Sequence, residues 1–370
     1  MKIVKISGTK TIMSNPYSKH NYFAWPTVAR LQNGKIAVTA SGFRLAHVCP
    51  FGKCVIAYSE NEGETYTMPA SVIDTVLDDR DAGVVPFGES NVIVTSFNNA
   101  VEFQRGCNYL NVPKAYKEAY LDAVTEEEEQ QAIGATFRIS NDCGVTFGEI
   151  YKSPITSPHG PVELSDGTLL WVGRTFNSKN EQRIGIDCIQ AHKINPEDGS
   201  MEFVGEIENV EVDGTQPLLC EPHAIVLEDG RILTHIRVQN YKIGLFTTFQ
   251  SESSDNGKTW TKPKQILPNC GGAPAHLMKH SSGVLISTYG FRGEPHDTKP
   301  FAIRAMFSRD NGKTWFGHCD IYKTDTSSDL GYPSTLELAD GSLLTVFYAK
   351  ETEEDSAVIM QQKWRFEDEI

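Results

Sequence analysis

The stretch Ser308–Trp315 reads SRDNGKTW, and a near copy, SSDNGKTW, occupies Ser253–Trp260. Two looser copies, SENEGETY and SNDCGVTF, begin at Ser59 and Ser140. An Asp or Asn side chain can bond backbone amides further along the chain, and Gly supplies positive φ. Each copy therefore predicts a tight turn, after which Thr and the aromatic residue resume an extended strand. Four copies indicate a repeated supersecondary unit.

A second repeat lies between these turns and is typical of a hairpin, with Leu, any residue, Asp or Asn, and Gly before alternating apolar residues. Clear copies are LQNGKIAV, LSDGTLLWV, LEDGRILTHI and LADGSLLTVFY, and weaker ones are PFGESNVIV and HSSGVLISTY. The marker glycines are Gly34, Gly88, Gly167, Gly230, Gly283 and Gly341. Their spacing of roughly 50 to 80 residues leaves room for about four strands per unit. The sequence predicts an all-β, six-bladed propeller of four-stranded antiparallel blades.

Composition favours one globular domain over residues 1–370, since 39% of the residues are hydrophobic and no apolar run reaches the length of a membrane span. The net charge of −14 argues against a nucleic-acid partner. The opening MKIVKISGTK lacks the apolar core of a signal peptide, so we expect a cytoplasmic protein without a membrane partner. Eight cysteines without a CxxC pair predict reduced thiols, and we expect no metal and no cofactor.

One segment interrupts the strand pattern. Pro113 stands where a helix could start, Tyr116 and Tyr120 follow at helical spacing, and an acidic run comes after them. We predict a short helical region around 112–130, within an insertion of residues 102–134 in the second blade. The insertion would emerge on the pocket face, where it either rims or roofs the pocket, with Tyr116 and Tyr120 near Arg237, or forms a surface appendage or an oligomer contact.

Strand parity locates that pocket. In a propeller blade the first strand lies nearest the central channel, and the turn between the third and fourth strands falls on the same face as the first hairpin. The SxDxGxTW turns occupy this slot, so they should lie opposite the pocket. Counting back from each marker glycine gives the first-strand entrances. Nine residues before the glycine stand Trp25, Asp79, Pro158, Glu221, Pro274 and Tyr332, and seven before stand Thr27, Asp81, Gly160, His223, His276 and Ser334.

Where the second strands return to the pocket face, the sequence has Arg44, Arg174, Arg237 and Arg292. Recurrent arginines in an acidic chain indicate a pocket for an anion, most naturally a carboxylate held by guanidinium groups. Tyr332 and Glu221 share one register on different blades, so they could meet across the channel. A carboxylate beside a phenol can take its proton and make it a better nucleophile.

At this point the sequence resembles the sialidase superfamily, whose six-bladed propellers carry the SxDxGxTW turns, known as Asp-boxes or BNR repeats. The resemblance implies an exo-acting glycoside hydrolase that cleaves a terminal sugar, which can be anionic, from a glycan. In CEPHAIVLEDGRILTHIR it implies that Glu221 activates the nucleophile and that Arg237 binds a carboxylate. In GYPSTLELADGSLLTVFY it implies that Tyr332 is the nucleophile. Arg292, with Arg304 second, matches another carboxylate-binding arginine.

The chain also departs from that family. The family's first blade begins with Arg-Ile-Pro, whereas FAWPTVARL has Ala24 and Trp25 before Pro26. No carboxylate follows Arg44 in RLAHVCPFGKCVIAYS, where the family has its acid/base aspartate. His47 lies nearest the expected place, so proton transfer is predicted for His47 or for Asp79 or Asp81 from the next blade. The chain is thus a divergent member rather than a typical sialidase.

Two other classes of function stay open. A polysaccharide lyase acting on uronic acids needs an arginine group to neutralise the carboxylate and a base, which His159, His223, His276 or Tyr332 could supply. A non-catalytic glycan-binding propeller would use Trp25 as a stacking platform and the arginines as grips, with no role for a Tyr/Glu couple.

Overall fold

A computed structural model describes residues 1–109, 112–176, 187–269, 274–294 and 296–368. It contains six antiparallel sheets, each the blade of a propeller, which confirms the fold that the repeats predict. The two strands at the N-terminus are β1 (Lys2–Lys5) and β2 (Lys10–Met13). The first blade consists of β3 (Tyr22–Arg30), β4 (Ile36–Arg44), β5 (Lys53–Ser59) and β6 (Ala70–Ile73).

The second blade consists of β7 (Arg80–Phe87), β8 (Asn91–Phe97), β9 (Ala135–Ser140) and β10 (Tyr151–Ser153). Between β8 and β9 lie the helices α1 (Val101–Gly106), α2 (Lys114–Ala123) and α3 (Glu126–Ala132). The third blade consists of β11 (Ile155–Thr156), β12 (Val162–Glu163), β13 (Leu169–Thr175), β14 (Ile189–Ile194) and β15 (Met201–Ile207). Its first strand is split, because β11 and β12 both pair with β13.

The fourth blade consists of β16 (Leu218–Val226), β17 (Ile232–Asn240), β18 (Leu245–Ser253) and β19 (Lys264–Gln265), with a 3-10 turn at Tyr241–Ile243. The fifth consists of β20 (Ala275–Lys279), β21 (Leu285–Phe291), β22 (Phe301–Ser308) and β23 (Phe316–Thr324). The sixth consists of β24 (Gly331–Glu337), β25 (Leu343–Ala349) and β26 (Val358–Glu367), completed by β1 and β2. Since both N-terminal strands pair with β26, they cover the edge of the last blade.

The hydrophobic core lies between neighbouring blades rather than at one centre. One cluster joins the sixth blade to the first, through Tyr348, Leu344 and Val38 among others. Similar clusters join the first blade to the second, the second to the third, and onward around the ring. Inner strands are buried on both faces, because each blade presents alternate side chains to a neighbour on either side.

The Asp-box turns all connect third to fourth strands. In the turn at Ser253, Asp255 accepts from the Thr259 amide at 2.8 Å and from its hydroxyl at 2.6 Å, and the Gly257 amide donates to Ser253 Oγ at 2.9 Å. In this turn the next strand, β19, begins only at Lys264, beyond the aromatic Trp260, whereas in the turn at Ser308 the strand β23 begins at Phe316, directly after Trp315, as expected.

Two aromatic residues of these turns donate hydrogen bonds to the preceding blade. Trp315 Nε1 donates to Gln250 Oε1 at 2.7 Å, and Tyr66 donates to Gln361 Oε1 at 2.7 Å. The Cys143 amide of another turn bonds the carbonyl of Ser90, in the first hairpin of its own blade. The turns therefore lie on the hairpin face and fasten blades together, as the parity argument predicts.

Candidate active site

Four first strands share a bulge where they enter the channel. The register of pairing shifts at Trp25, Asp81, Glu221 and Tyr332, and each of these residues has a φ between +48° and +56°. Non-glycine residues rarely adopt this left-handed conformation, and bulges of this kind re-aim a side chain. The same strained bulge thus recurs in four blades, and three of the four residues, Asp81, Glu221 and Tyr332, line one cavity.

In the second blade, the alignment of first strands predicted from the sequence is wrong by two residues. Counting nine residues back from the hairpin glycine aligns Asp79 with Trp25, Glu221 and Tyr332. In the structure it is Asp81 that takes the equivalent bulged position. The cause is a tighter hairpin, since Phe87 pairs with Asn91 whereas the first blade needs the longer turn between Arg30 and Ile36.

Tyr332 and Glu221 meet across the channel, as the sequence predicts. Tyr332 Oη donates to Glu221 Oε1 at 2.6 Å, and Arg237 Nη1 lies 2.6 Å from Glu221 Oε2 and 3.3 Å from Tyr332 Oη. Burial, reinforced by Glu221 and Asp81, raises the pKa of Tyr332 well above its ordinary value. Because Arg237 touches both oxygen atoms, its charge can stabilise the anion on either side of a proton transfer.

Asp81 is a buried carboxyl group at the wall of the cavity. Its side chain lines the cavity, is 6% exposed, and accepts no hydrogen bond from any residue in the described ranges. Burial raises its pKa to about 7, with Arg80 opposing the shift and Glu221 adding to it. Near neutral pH such a group can exist in both protonation states, which suits proton transfer.

His47 also lines the cavity and is anchored from behind. Its Nδ1 lies 2.9 Å from Tyr22 Oη and 3.3 Å from Asp329 Oδ1, and Tyr22 donates to the Asp329 carboxylate at 3.0 Å. Burial, together with Arg80 and Arg292, lowers the pKa of His47 although Asp329 opposes the shift. Tyr22 and Asp329 were not singled out from the sequence, because Asp329 lies in a loop outside both repeats.

The arginines divide into two groups. Arg174 lines the cavity, and its guanidinium makes no hydrogen bond or ion pair with any residue that the structure describes. Arg80, which sequence analysis missed, also lines the cavity and lies 4.1 Å above the Trp25 ring. A basic residue directly before the bulged Asp81 was the signal that could have found it. Arg237 donates two hydrogen bonds to Gln239, at 2.6 and 3.0 Å, besides those to Glu221 and Tyr332.

The remaining predicted arginines do not line the cavity. Arg44 is fully buried, and its five donors are occupied by Asp78, Ser41 Oγ and the carbonyls of Ala46 and His47. Arg292 bonds the Leu330 carbonyl and the Tyr348 hydroxyl beside the site. Arg304 pairs with Asp320 on the outermost strand of its blade. The expectation of direct substrate binding is therefore not met by Arg44 or Arg304, whose partners satisfy them within the fold.

Trp25 and the three histidines are also internal. Trp25 is 1% exposed beneath Arg80 and His47, so it cannot serve as a stacking platform. His159, His223 and His276 pack together, with centroids 4.4 to 5.2 Å apart, and none lines the cavity. Burial lowers the pKa of all three, that of His223 to about 3.

Asp79 too is internal. Burial raises its pKa to about 7, but its carboxylate accepts from Thr75 and Asn98 and does not line the cavity. Of the two aspartates considered from the sequence, the structure brings only Asp81 to the site.

The cavity has a volume of about 350 Å³. The insertion contributes Phe103 and Tyr109, and the Tyr109 ring stacks on His47 with centroids 6.4 Å apart. Tyr116 and Tyr120, at helical spacing in the insertion, pack on Phe51 outside the cavity, so these two residues do not roof it. The insertion thus walls the cavity through α1 and the loop after it rather than through α2.

No group of three or more His, Cys, Asp or Glu side chains in the described ranges is arranged to hold a metal ion. No helix of the described chain is long and apolar enough to cross a membrane. The seven cysteines within the described residues are free thiols, and Cys270 lies outside them.

The repeats and the blade architecture define a class, the Asp-box propellers. A family model for the BNR repeat-like domain matches residues 123–346, and the chain belongs to this family. No curated protein sequence gives a significant match.

Solved structures extend the likeness over the whole chain. A protein of unknown function from Dyadobacter fermentans has a TM-score of 0.76 at 17% identity, with 99% of each chain covered. An intramolecular trans-sialidase from leech has a TM-score of 0.63 at 13% identity, covering 96% of this chain and 70% of that one. An α-L-arabinofuranosidase from Fusarium graminearum has a TM-score of 0.62 at 11% identity, with 98% of each chain covered. At these identities the likeness establishes the fold.

Proposed function

We propose that this protein is an exo-acting, sialidase-like glycoside hydrolase that removes a terminal sugar from a glycan through a covalent bond to Tyr332. The observation that carries the proposal is the 2.6 Å hydrogen bond from Tyr332 to Glu221 inside a cavity that also holds Asp81, whose carboxyl group has no hydrogen-bond partner among the described residues. The fold is shared with a trans-sialidase and an arabinofuranosidase, which supports glycan chemistry without choosing the sugar. We further propose that residues 1–370 act as one domain, with 102–134 as its insertion.

The first half of the reaction forms the glycosyl-tyrosine. Glu221 takes the proton of Tyr332 Oη, and the oxygen attacks the anomeric carbon as the bond to the leaving group breaks. The electron pair of that bond goes to the leaving oxygen, which takes a proton from Asp81. Arg237 stabilises the tyrosine oxygen as negative charge develops there.

The substrate class follows from the charges that face the cavity. Arg174 and Arg80 both line it, and Arg174 has no internal acceptor within the described residues. A guanidinium group with unused donors can form paired hydrogen bonds with a carboxylate. We therefore propose a terminal sugar that carries an acidic group, although a neutral sugar with hydroxyl acceptors would use the same donors.

A polysaccharide lyase is the second candidate, favoured by the presence of both His47 and Arg174 in the cavity. There the arginine would neutralise a uronate carboxylate while His47 removes the neighbouring proton. The Tyr332–Glu221 pair favours the hydrolase over the lyase, because elimination needs no activated nucleophile. A non-catalytic glycan-binding propeller would need neither Tyr332 nor Glu221.

The test compares the parent with Tyr332→Phe on a panel of 4-nitrophenyl glycosides of neutral and acidic sugars and on uronate-containing polysaccharides. The substitution removes one oxygen, so folding should survive, while turnover of the accepted glycoside should fall by about three orders of magnitude or more. A 2-fluoro glycosyl fluoride of the same sugar should add its glycosyl mass to the peptide that contains Tyr332. Parent-like rates for Tyr332→Phe would refute the tyrosine nucleophile, and products with an unsaturated, ultraviolet-absorbing end would refute the hydrolase.

A further inference from the structure

The contacts of His47 determine which of its nitrogens carries a proton. Asp329 offers only acceptors while it is ionised, and the hydrogen bonds from His47 and Tyr22 lower its pKa although burial alone would raise it. Tyr22 stays protonated, since burial and Asp329 raise its pKa well above the ordinary value. Tyr22 therefore donates its single proton to Asp329, at 3.0 and 3.1 Å.

Because Tyr22 donates its proton to Asp329, it cannot also donate to His47. The hydrogen bond between Tyr22 Oη and His47 Nδ1, at 2.9 Å, therefore needs a proton on Nδ1. The same nitrogen faces Asp329 Oδ1 at 3.3 Å, which a lone pair would disfavour. Neutral His47 thus carries its proton on Nδ1. Its other nitrogen, Nε2, has no hydrogen-bond partner among the described residues, and the 35% exposed side chain lines the cavity.

We infer that Asp329, with Tyr22, is a positioning residue that holds His47 in the Nδ1–H tautomer, so that Nε2 is the proton acceptor of the active site. This rests on the proposed function and completes its second half. There Nε2 takes a proton from water, and the water oxygen forms a bond to the anomeric carbon. The bond to Tyr332 Oη breaks with its electron pair on that oxygen, which regains the proton held by Glu221. His47 then gives its proton to solvent, and Asp81 takes one from solvent, which restores the starting state.

Of the three residues that the sequence offers for proton transfer, this assignment makes Asp81 the acid and His47 the base. An unprotonated Nε2 can accept a proton but not donate one, whereas Asp81 is the buried carboxyl group that can be protonated near neutral pH. The charged and titratable groups around His47 are Asp329, Tyr22 and Tyr109, with Arg80 and Arg44 bonded to its carbonyl and Arg292 nearby. Among these, only Asp329 is a carboxylate in contact with the ring.

Asp329→Asn provides the test, because an amide can donate to Nδ1 and so allow the other tautomer. Asp325→Asn is the matched control, since Asp325 is exposed in the same loop. With ¹⁵N-histidine labelling and His47→Gln for assignment, nitrogen shifts at pH 8 should show Nδ1–H in the parent and in Asp325→Asn. The shifts should show a mixture or the Nε2–H form in Asp329→Asn.

The kinetic readout uses whichever 4-nitrophenyl glycoside the parent hydrolyses. In Asp329→Asn, turnover should fall about a hundredfold or more, while a burst of 4-nitrophenol equal to the enzyme concentration remains and KM falls, because the glycosyl-tyrosine accumulates. Tyr22→Phe should give a weaker version of the same pattern and serves as the second variant if Asp329→Asn misfolds.

The outcomes separate this inference from the proposed function. An Nε2–H tautomer in the parent, or an Asp329→Asn variant that matches Asp325→Asn in shifts and turnover, overturns the role of Asp329. If Asp329→Asn shows the expected change of the His47 tautomer but Tyr332→Phe keeps parent-like rates, the tyrosine nucleophile is refuted. The positioning of His47 by Asp329 then still stands.

Discussion

Two aspartates at opposite faces of the propeller differ in their hydrogen bonds and in the direction of their pKa shifts. Asp255, in an Asp-box turn, accepts hydrogen bonds from Thr259 and Ser253, and the Thr259 contacts lower its pKa to about 2. Asp81, at the cavity, accepts none from the described residues, and burial raises its pKa to about 7. One carboxylate is held ionised to fix a turn, while the other is kept near its titration point.

The comparison teaches where this fold keeps its reactivity. The Asp-box face repeats the same satisfied turn in four blades, so its residues stabilise and do not react. On the cavity face the same bulge occurs in four blades, but the residue at the bulge differs from blade to blade. The four residues are Trp25, Asp81, Glu221 and Tyr332. Repetition of the backbone with variation of the side chain creates a site that no single motif reveals.

The largest effect that would sharpen this comparison is expected for Asp81→Asn. Because the amide cannot donate a transferable proton, kcat/KM for an alkyl glycoside should fall by about 10² to 10⁴, with a smaller loss for the 4-nitrophenyl glycoside of the same sugar. The acid must be protonated, so the parent's rate on the poor leaving group should decline as the pH rises above about 7. Rates from pH 5 to 9 measure both effects.

Asp255→Asn is the control on the opposite face and should keep the parent's pH profile. Equal losses for Asp81→Asn on good and poor leaving groups would contradict its assignment as the acid.

A second prediction separates two arginines that the sequence treats alike. Arg174→Ala should raise KM for an acidic aryl glycoside about tenfold to a hundredfold and leave a neutral one nearly unchanged, because it removes charged donors that no described residue accepts. Arg237→Ala should lower kcat for both substrates, because its guanidinium bonds Glu221 and Tyr332.

Steady-state kinetics of the two variants on one pair of substrates decides the matter. If Arg237→Ala changed only KM, the sequence expectation that Arg237 binds the substrate carboxylate would stand instead.

The smallest effect is expected on the Asp-box face. Ser253→Ala leaves the buried amide of Gly257 without its acceptor, which should cost about 1 to 2 kcal/mol of unfolding free energy. The urea midpoint should fall while kcat and KM stay at the parent values. The exposed Ser7→Ala is a matched control that should change neither, and a loss of activity in folded Ser253→Ala would break the separation of the two faces.

The fold could be predicted because its determinants are local. Turn chemistry in SRDNGKTW and the hairpin glycines depend on a few neighbouring residues, and their recurrence reports the number of blades. The Tyr332–Glu221 contact was also predictable, since equivalent positions of a propeller converge on one axis. The distance of 2.6 Å confirms that their shared register places them together.

Other features were decided by tertiary structure. Arg44 and Arg174 occupy similar places in the repeat, but Asp78 and neighbouring carbonyls satisfy the first, and the second faces the cavity. Asp79 and Asp81 differ because one hairpin is tighter, which shifts the bulge. The tautomer of His47 depends on Asp329, which lies far away in the chain.

The sequence by itself therefore determined the six blades, the face of the Asp-boxes and the pairing of Tyr332 with Glu221, because these follow from local turns and from symmetry. Only the tertiary structure decided which charged groups stay available for a ligand. Whether a charged group can bind a ligand depends on distant residues that supply its partners and exclude water. The spacing of a repeat predicts neither of these properties.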